Sequence, residues 1–272
     1  MKKYEICYAI ACDKGKARVI NQDNFWCLGK YLKAENKGLA QTESGGVPSE
    51  TNPAFAVFDG MGGEQYGEAA AYIAAYTFGK LRNEAKPSDP EKFLIDACRK
   101  MNNNITAYAD KRHADCVGTT AAVLMCGDKK IYACNVGDSK IYRYHGGNLT
   151  QISKDHVLDI YKDRKPPLVQ FLGVPETEFI IEPHTAREAY SCGDYYLICS
   201  DGLTDMLSAD EIKDILSENK DVKICVDTLL AGALSRGGKD NITIILCKIQ
   251  KRRDPFLKKL LMKLKAGAGS IK

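Results

Sequence analysis

Residues 54–63 read AFAVFDGMGG, an apolar run that ends in an acid and a glycine-rich turn. The first five residues of this stretch are typical of a β-strand. Asp59 follows the strand directly, so its side chain would be held rigidly, and Gly60 beside it would let a ligand approach the backbone closely. The stretch therefore predicts a carboxylate that is presented for binding at the end of a strand.

Two further acids have a similar setting. Asp201 follows the run YYLICS and precedes Gly202, whereas Asp240 directly precedes the run NITIILCKI. Carboxylates that converge from adjacent strand ends repel one another, and a hard divalent cation would relieve that repulsion. A set of oxygen ligands favours Mg²⁺ or Mn²⁺. Taken singly, however, each Asp-Gly pair is more simply explained as an ordinary turn.

The rest of the sequence predicts short strands and paired helices, which indicates an α+β protein with an antiparallel sheet. Residues 29–53, which contain clusters of Gly, Asn, Ser and Pro, are predicted as an irregular connection. Strands are predicted at 4–11, 54–58, 118–126, 130–137, 140–147, 148–153, 195–200 and 241–249. Helices are predicted over 64–82, 90–110, from the capping-box pattern at Ser208, and over about 221–236.

Charge is distributed unevenly along the chain. The 272 residues include 39 Lys+Arg and 35 Asp+Glu, a formal net charge of +4. Residues 251–272 alone carry +7, so residues 1–250 carry −3. Because the basic charge is not spread over a fold, it argues against a nucleic-acid-binding domain. We therefore divide the chain into a domain at 1–250 and a basic C-terminal tail at 251–272.

The tail contains the run FLKKLLMKLK at 256–265, whose apolar residues share one helical face. Such a segment is typical of a helix that lies on an anionic membrane or docks on a partner protein. A helix packed on its own domain, or a frayed terminus, explains it equally well.

The eleven cysteines form neither a regular framework nor a C-x-x-C pair. Most of them lie inside apolar runs and are predicted to be small buried residues in a reducing cytosol. No apolar run approaches the ~18 residues of a membrane span. The protein is expected to be cytoplasmic, or peripheral at a membrane through its tail.

An ordered series of motifs, which together run from about residue 4 to 250, identifies a family. The series comprises Arg18-x-x-Asn21-Gln22-Asp23, Phe58-Asp59-Gly60-Met61-Gly62-Gly63, Gly118-Thr119-Thr120, Asn135-Val136-Gly137-Asp138-Ser139, Ser200-Asp201-Gly202-Leu203 and Asp240-Asn241-Ile242-Thr243. It resembles the metal-dependent protein phosphatases of type 2C, the PPM family, and in particular the bacterial branch that opposes Ser/Thr kinases. The resemblance implies a four-layer α/β/β/α sandwich of two antiparallel sheets flanked by helix pairs.

The resemblance also implies a two-metal hydrolase of phosphoserine and phosphothreonine in proteins. Asp59 would bridge two Mn²⁺ or Mg²⁺ ions, the carbonyl of Gly60 would ligate one of them, and Asp201 and Asp240 would complete the pair. A water or hydroxide between the ions would attack phosphorus. Asp138 would help to hold a third, weaker ion. The implied partners are phosphorylated proteins, including a Ser/Thr kinase, and the chain is expected to be a monomer.

Arg18 would bind the substrate phosphate, because its planar guanidinium matches phosphate oxygens. On local sequence alone, an exposed arginine is the simpler interpretation. Asp23 and Asp205 would lie in an outer shell and orient metal-bound waters. His156 matches a family Asp-His pair and is interpreted as structural.

Two departures from the family pattern limit what it implies. Met61 stands where many eukaryotic relatives have a histidine that has been proposed as the general acid, so the leaving-group proton must have another source. The segment from Val157 to Phe171 is shorter than the flap usual in bacterial relatives, which predicts a more open site. The alternatives are a catalytically silent module of the same fold, and an unrelated aspartyl-nucleophile phosphatase, whose Asp-x-Asp motif is missing after the first strand.

Overall fold

The computed structural model describes residues 4–61, 66–84, 87–114, 116–127, 129–158 and 166–252. Gly62, Gly63, residues 159–165 of the predicted flap and residues 253–272 of the tail lie outside the described residues, so the expectations for them stay predictions. Within the described residues, no helix has the length and apolar character that crossing a membrane requires.

The described elements alternate between strand-rich and helical blocks. In chain order, the strands are β1 (Tyr4–Asp13), β2 (Asp23–Cys27), β3 (Glu43–Pro48), β4 (Ala54–Met61), β5 (Gly118–Thr119), β6 (Ala121–Cys126), β7 (Lys130–Val136), β8 (Lys140–His145), β9 (Asn148–Gln151), β10 (His184–Ala189), β11 (Tyr195–Cys199) and β12 (Ile242–Lys251). The helices are α1 (Gly67–Glu84), α2 (Pro90–Arg112), α3 (Asp201–Thr204), α4 (Ala209–Glu218) and α5 (Val222–Ser235).

Two antiparallel sheets pack face to face, and helices cover the outer face of each. The first sheet has the strand order β3-β1-β12-β11-β8-β9, and the second has the order β10-β7-β6-β4-β2, with β5 paired to the end of β4. Helices α1 and α2 pack on the second sheet, whereas α3, α4 and α5 pack on the first. The predicted four-layer sandwich is confirmed.

Strand β12 illustrates how the sequence fills two cores at once. Ile245 and Cys247 point into the core between the sheets, while Ile244 and Leu246 point toward the helices of the outer layer. Successive side chains of a strand face opposite sides of the sheet, so a strand buried on both faces must be apolar throughout. This explains the apolar run of residues 244–247 at the centre of the predicted strand.

The helices begin where their capping residues stand. Asp89 accepts a hydrogen bond from the backbone N–H of Lys92 at 3.1 Å, and Pro90 occupies the first turn of α2. The capping box predicted at Ser208 is confirmed, since the Ser208 hydroxyl and the Glu211 carboxylate exchange hydrogen bonds with each other's backbone N–H.

Three predictions about elements were wrong. Residues 29–53 are not wholly irregular, because they contain β3 and a 3-10 turn over Ser49–Thr51. Strand β4 continues through Asp59 to Met61, where Gly60 and Met61 pair with β5. Three helices rather than two lie between β11 and β12, because the short α3 begins directly at Asp201.

Candidate active site

A cleft of about 260 Å³ opens where strand ends of the two sheets meet. It brings together six of the predicted site residues from five separate parts of the sequence. The lining comprises Arg18, Gln22, Asp59, Gly60, Met61, Thr120, Asp138, Pro166, Leu168, Asp201 and Asp240. Asp205 lies instead in an adjoining cleft that shares Pro166 and Asp240 with the first. Asp23 is buried and does not line either cleft.

Asp59 is fixed through its backbone by two threonines. The hydroxyl of Thr119 and the backbone N–H of Thr120 both donate to the Asp59 carbonyl oxygen at 2.9 Å. The Asp59 N–H donates in turn to the Thr120 hydroxyl oxygen at 3.1 Å. The sequence motif Gly-Thr-Thr gave no hint of this role, because it depends on a contact between residues about sixty positions apart.

Gly60 occupies a position that no other residue could fill. A Cβ atom there would lie 2.2 Å from the carbonyl oxygen of Gly67 and 2.4 Å from that of Gln22. Both neighbours are backbone atoms, so neither could turn aside as a flexible side chain can. The glycine therefore lets β4 pass between α1 and the segment that carries Arg18.

A similar close approach joins Asp201 to Asp240. A Cβ atom on Gly202 would lie 2.0 Å from the carbonyl oxygen of Asn241, so α3 can meet the start of β12 only with glycine at this position. Since Asp201 precedes Gly202 and Asp240 precedes Asn241, this contact brings the two carboxylates to the same cleft.

Arg18 lies over the acidic wall of the cleft. Its Nη2 donates to Oδ2 of Asp240 at 2.6 Å, and its side chain is 51% exposed. The hydrogen bond to Asp240, together with the charges of Asp59 and Asp201, raises the pKa of Arg18. Arg18 is therefore both half exposed and paired with a predicted metal ligand, so it is not an isolated surface arginine.

Asn241 anchors the loop that carries Arg18. Its Oδ1 accepts from the backbone N–H of Gln22 at 2.7 Å, and its Nδ2 donates to the carbonyl oxygens of Lys14 and Ile20 at 2.8 and 3.0 Å. The loop is thereby bound to the residue that follows Asp240. Asn241 belongs to one of the sequence motifs, but the motif alone did not predict that it anchors this loop.

Asp23 lies beside the cleft, opposite Asp59 on the neighbouring strand β2. Burial, with smaller contributions from the charges of Asp201 and Asp240, raises the pKa of Asp23 to about 7. The hydroxyls of Ser200 and Thr243 oppose this shift, because they donate to its Oδ2 at 2.8 and 2.7 Å.

The Asp138 turn is held by His156. The backbone N–H of Gly137 donates to Nδ1 of His156 at 3.1 Å, and the backbone N–H of His156 donates back to the Gly137 carbonyl oxygen at 3.1 Å. Burial lowers the pKa of His156, which favours the neutral ring that this contact needs. The contact is consistent with the structural interpretation of His156.

The two described arms of the predicted flap run antiparallel beside the cleft. Val157 pairs with Leu168, and the backbone N–H of Val169 donates to the carbonyl oxygen of His156 at 2.9 Å. Pro166 and Leu168 of the second arm line the cleft.

The electrostatics of the cleft suit hard cations. Burial and the charges of Asp201, Asp23, Asp138 and Asp240, in that order, raise the pKa of Asp59 well above its usual range. One oxygen of Asp23, Oδ1, is buried and has no hydrogen-bond partner among the described residues. Clustered carboxylates that raise one another's pKa values are an arrangement that bound cations would relieve.

The carboxylates line the cleft without forming a closed cage. In the part of the chain that the structure describes, no three carboxylate, imidazole or thiolate groups are close enough to hold one ion among them. The lining supplies carboxylate oxygens from Asp59, Asp138, Asp201 and Asp240, the donor atoms that Mg²⁺ and Mn²⁺ prefer. The residues present therefore fit hard divalent cations.

Comparison with known proteins places the chain among protein phosphatases. Residues 34–165 match the family model described as Protein phosphatase 2C. The Serine/threonine phosphatase stp of Listeria welshimeri is 30% identical over 264 residues, which cover 89% of this chain and 96% of that protein. The Serine/threonine protein phosphatase PstP of Mycobacterium tuberculosis is 26% identical over 89% of this chain and 45% of that longer protein.

Solved structures agree with the sequence relatives. The catalytic domain of PstP in complex with two manganese ions superposes with a TM-score of 0.73 at 26% identity, and covers 91% of this chain and 100% of that one. A second PstP structure from Mycobacterium tuberculosis gives a TM-score of 0.75 at 25% identity, with the same coverage. Fold, sequence and cleft lead to one conclusion: the chain belongs to the protein phosphatase 2C family.

Proposed function

We propose that this enzyme hydrolyses phosphoserine and phosphothreonine in proteins with the help of two divalent cations bound in the catalytic cleft. The named activity of its relatives, serine/threonine phosphatase, supports the substrate class. The two manganese ions in the PstP catalytic domain support the metal requirement. Phosphorylated proteins, including a Ser/Thr kinase that the enzyme opposes, are the proposed partners.

Three carboxylates and one carbonyl would hold the two ions, namely Asp59, Asp201, Asp240 and the backbone oxygen of Gly60. Asp138 is the proposed ligand of a third, weaker ion together with Asp201. When bound, such ions lower the pKa of water and neutralise charge on the phosphate oxygens. The raised pKa of Asp59 supports this assignment, because burial first, and the neighbouring carboxylates second, disfavour the charged form of Asp59, which a bound cation would stabilise. Mn²⁺ and Mg²⁺ both suit an oxygen ligand set.

The side chains around the ions would position the substrate. Arg18 would hold the non-bridging phosphate oxygens, since its guanidinium projects into the cleft and its loop is fixed by Asn241. Asp23 and Asp205 would orient waters around the carboxylates. Met61 lines the cleft but carries no ionisable hydrogen, so the leaving alkoxide would take its proton from water.

The convergence of Asp59, Asp201, Asp240 and Arg18 on one cleft is the observation that carries this proposal. The test is hydrolysis of a phosphothreonine peptide with Mn²⁺, with and without a chelator, by the wild type and by Asp201→Asn. We expect the chelator to abolish activity and the variant to lose about 100-fold or more in kcat/KM, which corresponds to ~2.7 kcal/mol of transition-state stabilisation.

The matched control is Asp210→Asn, because Asp210 lies on α4 with its side chain 86% exposed. It should behave as the wild type. Chelator-resistant hydrolysis, or full activity in Asp201→Asn, would exclude the two-metal mechanism. Absence of turnover in the metal-loaded wild type would favour a catalytically silent module.

A further inference from the structure

A second and larger cleft lies behind the loop that carries Arg18. This flanking cleft, of about 610 Å³, is lined in part by Val19, Ile20 and Asn21. The residues on either side of that triplet, Arg18 and Gln22, line the catalytic cleft instead. Only the thickness of one loop therefore separates the two clefts, and a polypeptide bound with its phosphate at Arg18 would lie next to both.

The loop presents two apolar side chains to solvent. Val19 is 90% exposed and Ile20 is 49% exposed. Exposed apolar groups that adjoin a binding site are typical of surfaces that recognise a partner. Neither side chain has a part in holding the metals or the phosphate, so the proposed chemistry does not explain their position.

The exposure of this pair is a fixed feature of the loop. The backbone N–H groups of Lys16 and Ala17 both donate to the carbonyl oxygen of Gly238, at 2.8 and 3.3 Å. On the other side, the Ile20 carbonyl oxygen accepts from Asn241 at 3.0 Å. With hydrogen bonds on both sides of Val19, the loop holds its side chain outward while Arg18 is kept at the catalytic cleft.

The charges around the flanking cleft balance one another. Lys14 and Lys37 line it with Glu35 and Glu68, so the cleft has two charges of each sign and no net preference for a charged group. Apart from these charges, the lining consists of two asparagines, Asn21 and Asn36, and of the apolar side chains of Val19, Ile20 and Ala34.

We infer that the flanking cleft receives an apolar side chain of the phosphoprotein substrate, within about three residues of the phosphorylated serine or threonine. Arg18 and Val19 are neighbours, and an extended chain advances ~3.3 Å per residue, so a substrate residue this close to the phosphate comes within reach of Val19 and Ile20. This inference rests on the proposed function and adds a sequence preference to it.

The experiment uses pairs of phosphothreonine peptides of equal length and charge. The two members of a pair differ at one position, which is Leu in one and Ser in the other, and the pairs together cover the three positions on each side of the phosphothreonine. For the metal-loaded wild type, we expect kcat/KM to be about tenfold higher for the best Leu peptide than for its Ser counterpart, the lower end of what an apolar pocket provides. In the double variant Val19→Ser/Ile20→Ser, the ratio should fall below about twofold.

Hydrolysis of p-nitrophenyl phosphate, which has no flanking residues, reports whether Arg18 has kept its place in the double variant.

The matched control is Ile224→Ser, which removes an isoleucine that is 53% exposed on α5. It should leave the peptide ratio at the wild-type value. The single variant Val19→Thr, which keeps the shape of valine and changes only its polarity, should lower the ratio without the risk of misfolding that a double variant carries.

The outcomes distinguish failure of the flanking-cleft inference from failure of the proposed function. A wild type that hydrolyses p-nitrophenyl phosphate and both peptides equally well overturns the flanking cleft as a recognition site and leaves the proposed function intact. A Leu preference that persists in the double variant also overturns it. A metal-loaded wild type that hydrolyses none of the substrates overturns the proposed function and this inference with it.

Discussion

Asp23 and Asp59 lie directly opposite each other on the neighbouring strands β2 and β4. Like charges placed directly opposite on neighbouring strands destabilise a sheet. Burial first, and then the charges of Asp201 and Asp23, raise the pKa of Asp59, whereas burial, Asp201 and Asp240 raise the pKa of Asp23. Hydrogen bonds from Thr243 and Ser200 only partly offset the shift at Asp23. The protein therefore stores electrostatic repulsion at the place where the proposed cations bind.

The raised pKa of Asp23 predicts that the stability of the metal-free protein depends on pH. The pKa of Asp23 is about 7 in the folded protein and about 4 in an unfolded chain, so between these values the folded state holds a proton that the unfolded state has released. The contribution of Asp23 to the free energy of unfolding must then fall as pH rises from about 4 to about 7, by roughly 2–4 kcal/mol. Asp59, whose pKa is also raised, contributes with the same sign.

Urea unfolding in the presence of a chelator, at several pH values from 4.5 to 7.5, measures this dependence. Asp23→Asn carries no charge at any of these pH values, so its unfolding free energy should decline less steeply than that of the wild type. Asp214→Asn, at an exposed position of α4, provides the control and should keep the wild-type slope. Equal slopes for wild type and Asp23→Asn would contradict the raised pKa.

At the scale of elements, the contact between α3 and β12 decides where two carboxylates lie. Gly202 touches the Asn241 backbone so closely that a methyl group would require the elements to move apart. A change at this contact should therefore affect metal binding more than it affects the core, because Asp201 and Asp240 separate with the two elements.

We predict that Gly202→Ala lowers the affinity for Mn²⁺ by tenfold or more, about 1.4 kcal/mol, as measured by titration calorimetry. Gly232→Ala is the matched control, since a Cβ there would meet only the flexible side chain of Leu207, at 3.3 Å or more. The control should bind Mn²⁺ normally and gain slightly in helix stability. Wild-type affinity in Gly202→Ala would show that the spacing of α3 and β12 is not critical.

Elements with strong local signals could be predicted, and those that depend on a distant partner could not. The apolar run of β12 and the capping box of α4 carry their own signal, and both were found where predicted. Strand β3, with the sequence ESGGVP, has two glycines and little apolar character, and it is a strand because β1 offers it a free edge. Its pairing partner lies more than thirty residues away, beyond the reach of local patterns.

The same difference between local signals and distant contacts applies to the candidate active site. The motifs and their order identified Asp59, Asp201, Asp240 and Arg18, which the fold brings to one cleft. The roles of Thr119, Thr120 and Asn241 could not be predicted, because each consists of hydrogen bonds to backbone atoms far away in sequence.

At the scale of the whole molecule, the described fold includes the first two residues of the basic tail predicted at 251–272. Strand β12 runs to Lys251, and Arg252 pairs with Glu50 at 2.6 Å. We propose that residues 1–252 suffice for folding and catalysis, and that the tail after them governs location.

A variant truncated after Arg252 should keep the unfolding temperature within about 2 °C and should hydrolyse p-nitrophenyl phosphate with unchanged kcat/KM. Its binding to vesicles that contain anionic lipid should fall, since about 1 kcal/mol is associated with each basic residue near such a surface. Co-sedimentation with anionic and with neutral vesicles measures the difference. Equal sedimentation of the truncated and full-length proteins would exclude the membrane role.

The position of β12 in the first sheet has a consequence for how the protein is made. The last strand in sequence lies in the middle of this sheet, between β1 and β11, and Asp240 immediately precedes it. Until the ribosome has added residues 240–251, the growing chain holds two half-sheets without the strand that joins them and lacks one proposed ligand. A chain whose synthesis stops before β12 is complete should therefore be inactive, because the first sheet gains its joining strand, and the cleft its last proposed ligand, only at the end of the domain.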